Sequence, residues 1–112
     1  MKTTVRRTLT HSVTMAKDAT ESAAFGFQSA AAGCFYVPTG FTAATITFKV
    51  SDEYDGDYSL LHNSSDAAVS RSVTAGRWYA LPSELAAAAY VKLVGNAAQT
   101  TADKTIEIIT KS

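Results

Sequence analysis

Polar and apolar residues alternate with a period of two along most of the chain, the spacing of strands that bury one face. Between Thr3 and Met15, Val5, Arg7, Leu9, His11, Val13 and Met15 alternate with Thr4, Arg6, Thr8, Thr10, Ser12 and Thr14. One face of this run is mixed and the other polar, which predicts an edge strand, an N-terminal arm, or a surface that another subunit covers. After the polar break Lys17–Ser22 come Phe25 and Phe27, a small-residue segment from Ser29 to Gly33, and the run Cys34–Val37, closed by Pro38-Thr39-Gly40. The clearest strand signal lies in Phe41–Val50, where Ile46, Phe48 and Val50 oppose Thr45, Thr47 and Lys49.

Asp55-Gly56, inside the acidic stretch Ser51–Asp57, predicts a hairpin turn with the glycine at positive φ and Tyr58–His62 as the return strand. Ala67–Thr74 with Val69 and Val73 inward, Arg77–Leu81, Tyr90–Val94, and Lys104–Thr110 with Ile106 and Ile108 inward read as further short strands. Pro82-Ser83-Glu84-Leu85 and the alanines that follow predict one short helical turn near residues 83–89. About seven or eight short strands with frequent turns predict an all-β fold, an antiparallel β-sandwich of jelly-roll-like kind.

At 112 residues the natural division is a single domain over residues 1–112, with 1–15 an edge strand or N-terminal arm. Ten Lys+Arg balance ten Asp+Glu, which argues against a protein that grips nucleic acid or an anionic bilayer through bulk charge. No apolar run approaches the roughly 20 residues that span a bilayer. The N-terminus lacks the apolar stretch of a secretory signal, so the expectation is a chain used without export. Cys34 is the sole cysteine, which fits a reducing compartment, and its apolar setting predicts a small buried hydrophobe.

Candidate chemistry is sparse. Asp52, Glu53, Asp55 and Asp57 are the densest group of acids; a helix-flanked calcium loop needs a distal bidentate Glu, whereas a hairpin tip needs only solvated turn residues. No Gly-x-Ser-x-Gly, phosphate-binding glycine loop or His-Glu-x-x-His occurs. The expectation is therefore a protein that is not an enzyme, with no catalytic residues, no metal and no cofactor. Among the aromatics, Trp78 and Tyr79 must point to opposite faces of a strand, and Tyr54, at the acidic tip, is the best candidate for an exposed contact. Lys2, Arg6 and Arg7 form a basic cluster suited to an acidic patch on a neighbouring protein. Lys2, Arg6, Arg7, Tyr54 and Trp78 are accordingly the candidate partner-binding residues.

Three segments in this order resemble small structural proteins of tailed bacteriophages: Cys34-Phe35-Tyr36-Val37-Pro38 with Thr39-Gly40-Phe41-Thr42, Ala44-Thr45-Ile46-Thr47-Phe48-Lys49-Val50-Ser51, and Asp55-Gly56 before Tyr58-Ser59-Leu60. A late Tyr90-Val91-Lys92-Leu93 continues the likeness, which spans about residues 30 to 110. The resemblance implies a β-sandwich carried on the virion and present in the host cytoplasm during assembly. Its implied role is a head decoration (cement) protein that stabilises neighbouring subunits, or else a tail or head–tail connector component. The implied partners are the major capsid protein or another virion protein and copies of the chain itself, a homotrimer first, with no nucleic acid and no membrane. A carbohydrate-binding module is the alternative from another class, because the hairpin from Val50-Ser51 to Tyr58-Ser59-Leu60 also looks like that of sugar-binding sandwiches.

Overall fold

Period-two burial sorts the chain into two packed antiparallel sheets. The computed structural model of the chain describes residues 8–27 and 32–111. Among these lie nine strands: β1 (Thr8–Met15), β2 (Phe25–Gly26), β3 (Ala32–Val37), β4 (Thr45–Ser51), β5 (Ser59–Leu60), β6 (Ser70–Ser72), β7 (Arg77–Ala80), β8 (Tyr90–Gly95) and β9 (Lys104–Lys111). A 3-10 turn over Ser83–Ala87 joins β7 to β8. One sheet has the order β1-β9-β3-β7; the other runs β2-β8-β4-β5, with β6 also paired to β4. Most connections cross from one sheet to the other, which is jelly-roll winding with the short β6 added.

Burial follows the pleat. In β8 the exposure pattern alternates strictly, with Val91, Leu93 and Gly95 buried and Tyr90, Lys92 and Val94 half-buried on the outer side. The inner faces contribute Val13, Met15, Phe35, Val37, Ile106 and Ile108 from the four-stranded sheet, and Ile46, Phe48, Val91 and Leu93 from the other. Phe35 meets Phe48 edge-on at 6.3 Å, joining the two layers. The 3-10 turn exists to deliver Leu85, which is fully buried, across the open end. Each such side chain contributes roughly 1.5–3 kcal/mol of burial. Two polar residues are buried with partners: Ser22 Oγ accepts the Leu93 N–H and donates to Ala23 O, and Gln99 Oε1 accepts the Thr42 N–H.

The sandwich, the hairpin between β4 and β5 and the short turn near 83–89 all match expectation. Five details differ. The Phe25 segment forms only the two residues of β2, the return strand Tyr58–His62 only the two of β5 and the Ala67–Thr74 run only the three of β6, because β8 begins at Tyr90, opposite Gly26, and β5 and β6 share one side of β4. Gly56 is not in the left-handed region; that conformation belongs to Gly40, Gly76, Asp18 and Asp66. Gly56 leaves room for a hydroxyl instead, since a Cβ there would lie 2.5 Å from Ser51 Oγ and push it off the Glu53 N–H that it accepts. Cys34 is half-buried on the outer face, opposite Ala80 and Ile109, because its neighbours Phe35 and Val37 occupy the inward positions. The Thr3–Arg7 part of the first run lies outside the described residues.

Candidate interaction surface

The outer face of the four-stranded sheet is built from cross-strand rows. Antiparallel register sets Trp78 of β7 opposite Tyr36 of β3, Tyr36 opposite Glu107 of β9, and Glu107 opposite Ser12 of β1. The Tyr36 and Trp78 rings stand 5.3 Å apart at 50°, a cross-strand aromatic pair of the kind that stabilises sheets. Ser12 Oγ donates to Glu107 Oε2 at 2.8 Å, tying down the carboxylate of the row. The next row reads Ala80, Cys34, Ile109, Thr10, all short or apolar. At the end of the face a hollow of about 350 Å³ opens between Thr8, Cys34 and Ile109. An aromatic pair with an exposed tryptophan beside a row of short or apolar side chains is suited to shape-complementary packing, and tryptophan and tyrosine dominate the energetics of such contacts.

Tyr79, one residue on from Trp78, points inward and packs 5.9 Å from Phe35. Its hydroxyl accepts the Thr74 N–H at 2.7 Å. Burial pushes this phenol up, but the hydrogen bonds with Thr74 and the nearby Arg77 guanidinium outweigh it and leave the pKa below the ordinary tyrosine value.

On the opposite face of the molecule, Tyr54 sits at the hairpin tip and meets Tyr90 edge-on at 5.8 Å. Tyr58 hydroxyl donates to Tyr54 O at 2.8 Å, and Lys92 Nζ lies 4.5 Å above the Tyr58 ring. Burial raises the Tyr58 pKa, with smaller contributions from Tyr54, Asp55 and Tyr90. Asp52, Glu53, Asp55 and Asp57 are exposed on this tip.

The structure therefore separates the candidate residues. Trp78 and Tyr54 lie on opposite outer faces, and Lys2, Arg6 and Arg7 lie outside the described residues. Tyr36, the partner of Trp78, was not among the candidate partner-binding residues, although its place between Phe35 and Val37, both inward, puts it on the outward side. The β1 strand is an edge, as expected from its mixed face. Near Met15 that edge is covered, since Thr14 O accepts the Ala23 N–H; along Thr8–Val13 no described strand pairs with it.

No family model matches the chain, and no curated protein matches it. Among solved structures, the SPBc2 prophage-derived protein YomS is similar in fold, with a TM-score of 0.66 and 18% identity over 100% of this chain and 99% of that one. The likeness covers both sheets from end to end, so the jelly-roll-like sandwich found here is a known solution for a chain of this size.

Proposed function

We propose that the chain is a non-enzymatic structural protein of a tailed-phage particle, a decoration or cement protein that binds neighbouring head subunits and holds them together. The observation that carries the reading is the exposed Trp78, backed by the half-buried Tyr36, beside a row of short or apolar side chains on the outer face of the four-stranded sheet. The end-to-end fold likeness to a prophage-derived protein supports the phage setting. The open edge of β1 supports the mode of attachment, because an unpaired strand edge can add a strand from a neighbour. In this reading the partners are the major capsid protein and further copies of the chain, arranged as a trimer, and Lys2, Arg6 and Arg7 act as an arm against an acidic patch. Each contact has to bury upwards of about 1,000 Å² to be specific, and repetition over a shell multiplies it.

The test is the native mass of the purified protein together with its retention on phage heads. Trp78→Ala is expected to lower both while costing the fold only the one cross-strand aromatic pair, about 0.2–1 kcal/mol. Tyr54→Ala is expected to alter neither. A strictly monomeric parent that ignores phage heads but is held on a glycan array through Tyr54 would replace this reading with the carbohydrate-binding one.

A further inference from the structure

A polar pocket lies at the free edge of the five-stranded sheet, remote from the Tyr36–Trp78 face. Here Arg71 of β6 is registered opposite the fully buried Ile46 of β4, so its side chain enters the sandwich edge where Ser70 and Ser72 turn outward. A pocket of about 320 Å³ opens around it, lined also by Asn63, Ser70, Ser83 and Glu84. Arg71 Nε is closed off from solvent and, among the described residues, has no hydrogen-bond acceptor. A guanidinium keeps its charge at any physiological pH, and a buried N–H of this group without an acceptor is costly, so the charge is left with little compensation from its own chain.

The lining decides the class of acceptor. Asn63 spends its Oδ1 on the backbone N–H groups of Ser65 and Ala67, so what it retains for a ligand is its NH2 donor. Ser70 and Ser83 add hydroxyls that can donate. Glu84 is the acceptor-only group of the pocket, and it forms no ion pair with Arg71 among the described residues, where the ion pair present is Lys49–Glu21. With Nε sealed inside, the Nη end of the guanidinium is the part left for a ligand, and its two parallel donors in a donor-rich pocket fit the two oxygens of a planar carboxylate. The nearby Glu84 charge works against any anion, and against a phosphate dianion more than against a single negative charge.

We infer that the Arg71 pocket binds a monoanionic carboxylate, with Arg71 as the recognition residue. The carboxylate is either free or carried on an Asp or Glu side chain of a partner polypeptide. The inference rests on the Arg71 geometry and not on the Tyr36–Trp78 face, so the two readings can fail separately.

The experiment is an amide NMR titration of the whole chain with sodium acetate, sodium phosphate and sodium chloride at matched ionic strength, and with a terminally blocked peptide carrying one Glu. Acetate should give saturable shifts at Ser70, Arg71, Ser83 and Glu84, phosphate weaker ones, and chloride none that saturate. Arg71→Lys, which keeps the charge and loses the fork, should weaken acetate by about tenfold or more. Glu84→Gln, a change at an exposed position, should tighten it by about threefold and keeps the test alive if Arg71→Lys does not fold. Saturation with acetate and peptide alike supports the carboxylate itself as ligand, and saturation with the peptide alone supports the partner side chain as its source. The inference is overturned if neither saturates, if phosphate binds better than acetate, if chloride reproduces the shifts, or if Arg71→Lys binds unchanged. Weaker binding and a lower melting temperature in Glu84→Gln would also overturn it, by making Glu84 the partner of Arg71.

Discussion

The two outer faces of the sandwich carry similar side chains and use them differently. On the five-stranded sheet, Lys49 and Lys92 stand directly opposite each other on neighbouring strands, a repulsive placement. Each has its own counterweight: Lys49 Nζ pairs with Glu21 at 2.9 Å, and Lys92 lies over the Tyr58 ring. Tyr58 in turn donates to Tyr54 O, and Tyr54 packs on Tyr90. On the four-stranded sheet, Tyr36 and Trp78 lean on each other beside a row of small uncharged residues. Tyr54 is 54% exposed and Trp78 50%, so exposure cannot rank them. What ranks them is that Tyr54 closes a network inside its own chain, whereas Trp78 leans on Tyr36 alone and borders a row of short or apolar side chains that a second surface can match.

The largest effect that can break this comparison comes from a charge set into each face. Ile109→Lys places an ammonium in the row beside Cys34 and Ala80, where an interface would have to desolvate it without a partner. Association should fall by about 2 kcal/mol or more, roughly thirtyfold in the dissociation constant. Thr47→Lys, on the face that already carries Lys49 and Lys92, should leave association unchanged. Both variants should keep the β spectrum, with a stability change within about 1 kcal/mol. Sedimentation of the two variants against the parent is the measurement, and a larger loss from Thr47→Lys would reverse the assignment of the faces.

The asymmetry between the faces was only half legible in the sequence. Alternation revealed the strands β1, β4 and β9 and, for β4 and β9, which residues point inward, because burial on one face forces a period of two; β8 was read as a strand without its facing. It also implied that Trp78 and Tyr79 diverge, as they do. Cys34 was misjudged although the same parity, with Phe35 and Val37 inward, sends it outward. The pairings were hidden for another reason: Tyr36 with Trp78, Lys49 with Lys92, and Glu21 with Lys49 join residues far apart in the chain, and cross-strand register is a property of the assembled sheet. The short lengths of β2 and β6 likewise depend on how far the partner strand runs alongside. Arg71 was overlooked although it lies between the inward Val69 and Val73 and shares their parity; what the sequence hides is that Ser83 and Glu84 line a pocket with it.

A smaller effect sharpens the description of the charged face. Glu21→Gln leaves Lys49 facing Lys92 with no carboxylate between them. Lys49 is 29% and Glu21 42% exposed, so screening by solvent holds the loss to about 0.2–1 kcal/mol. Adding Lys92→Met removes the repulsion, and the double variant should lose less than the two single variants together. Urea denaturation at low salt and at about 1 M salt separates the causes, because a Debye length of about 3 Å abolishes the charge effect. A loss that is equal at both salt concentrations would mean that Glu21 acts through packing.

The smallest effect divides the two tyrosines by sign. Tyr58, on the charged face, has its pKa raised, with burial as the main cause. As pH climbs past about 10, the ordinary tyrosine value, the unfolded chain gives up this proton first. The contribution of Tyr58 to stability is thus whole below that pH and is lost as pH rises through its folded value. Tyr79, packed under the flat face, has its pKa lowered; burial opposes this, but its bonds with Thr74 and the Arg77 charge prevail. Its contribution is whole above about 10 and is lost as pH falls through its folded value. Phenolate absorbance should therefore show Tyr79 titrating early and Tyr58 late, with Tyr58→Phe removing the late component and Tyr79→Phe the early one. Melting curves across this range should show Tyr58→Phe declining less steeply with pH than the parent, and Tyr79→Phe more steeply. If Tyr58→Phe removed the early component instead, the Lys92 ammonium above its ring would have to be favouring the phenolate, and the face would be organised by charge more than by burial.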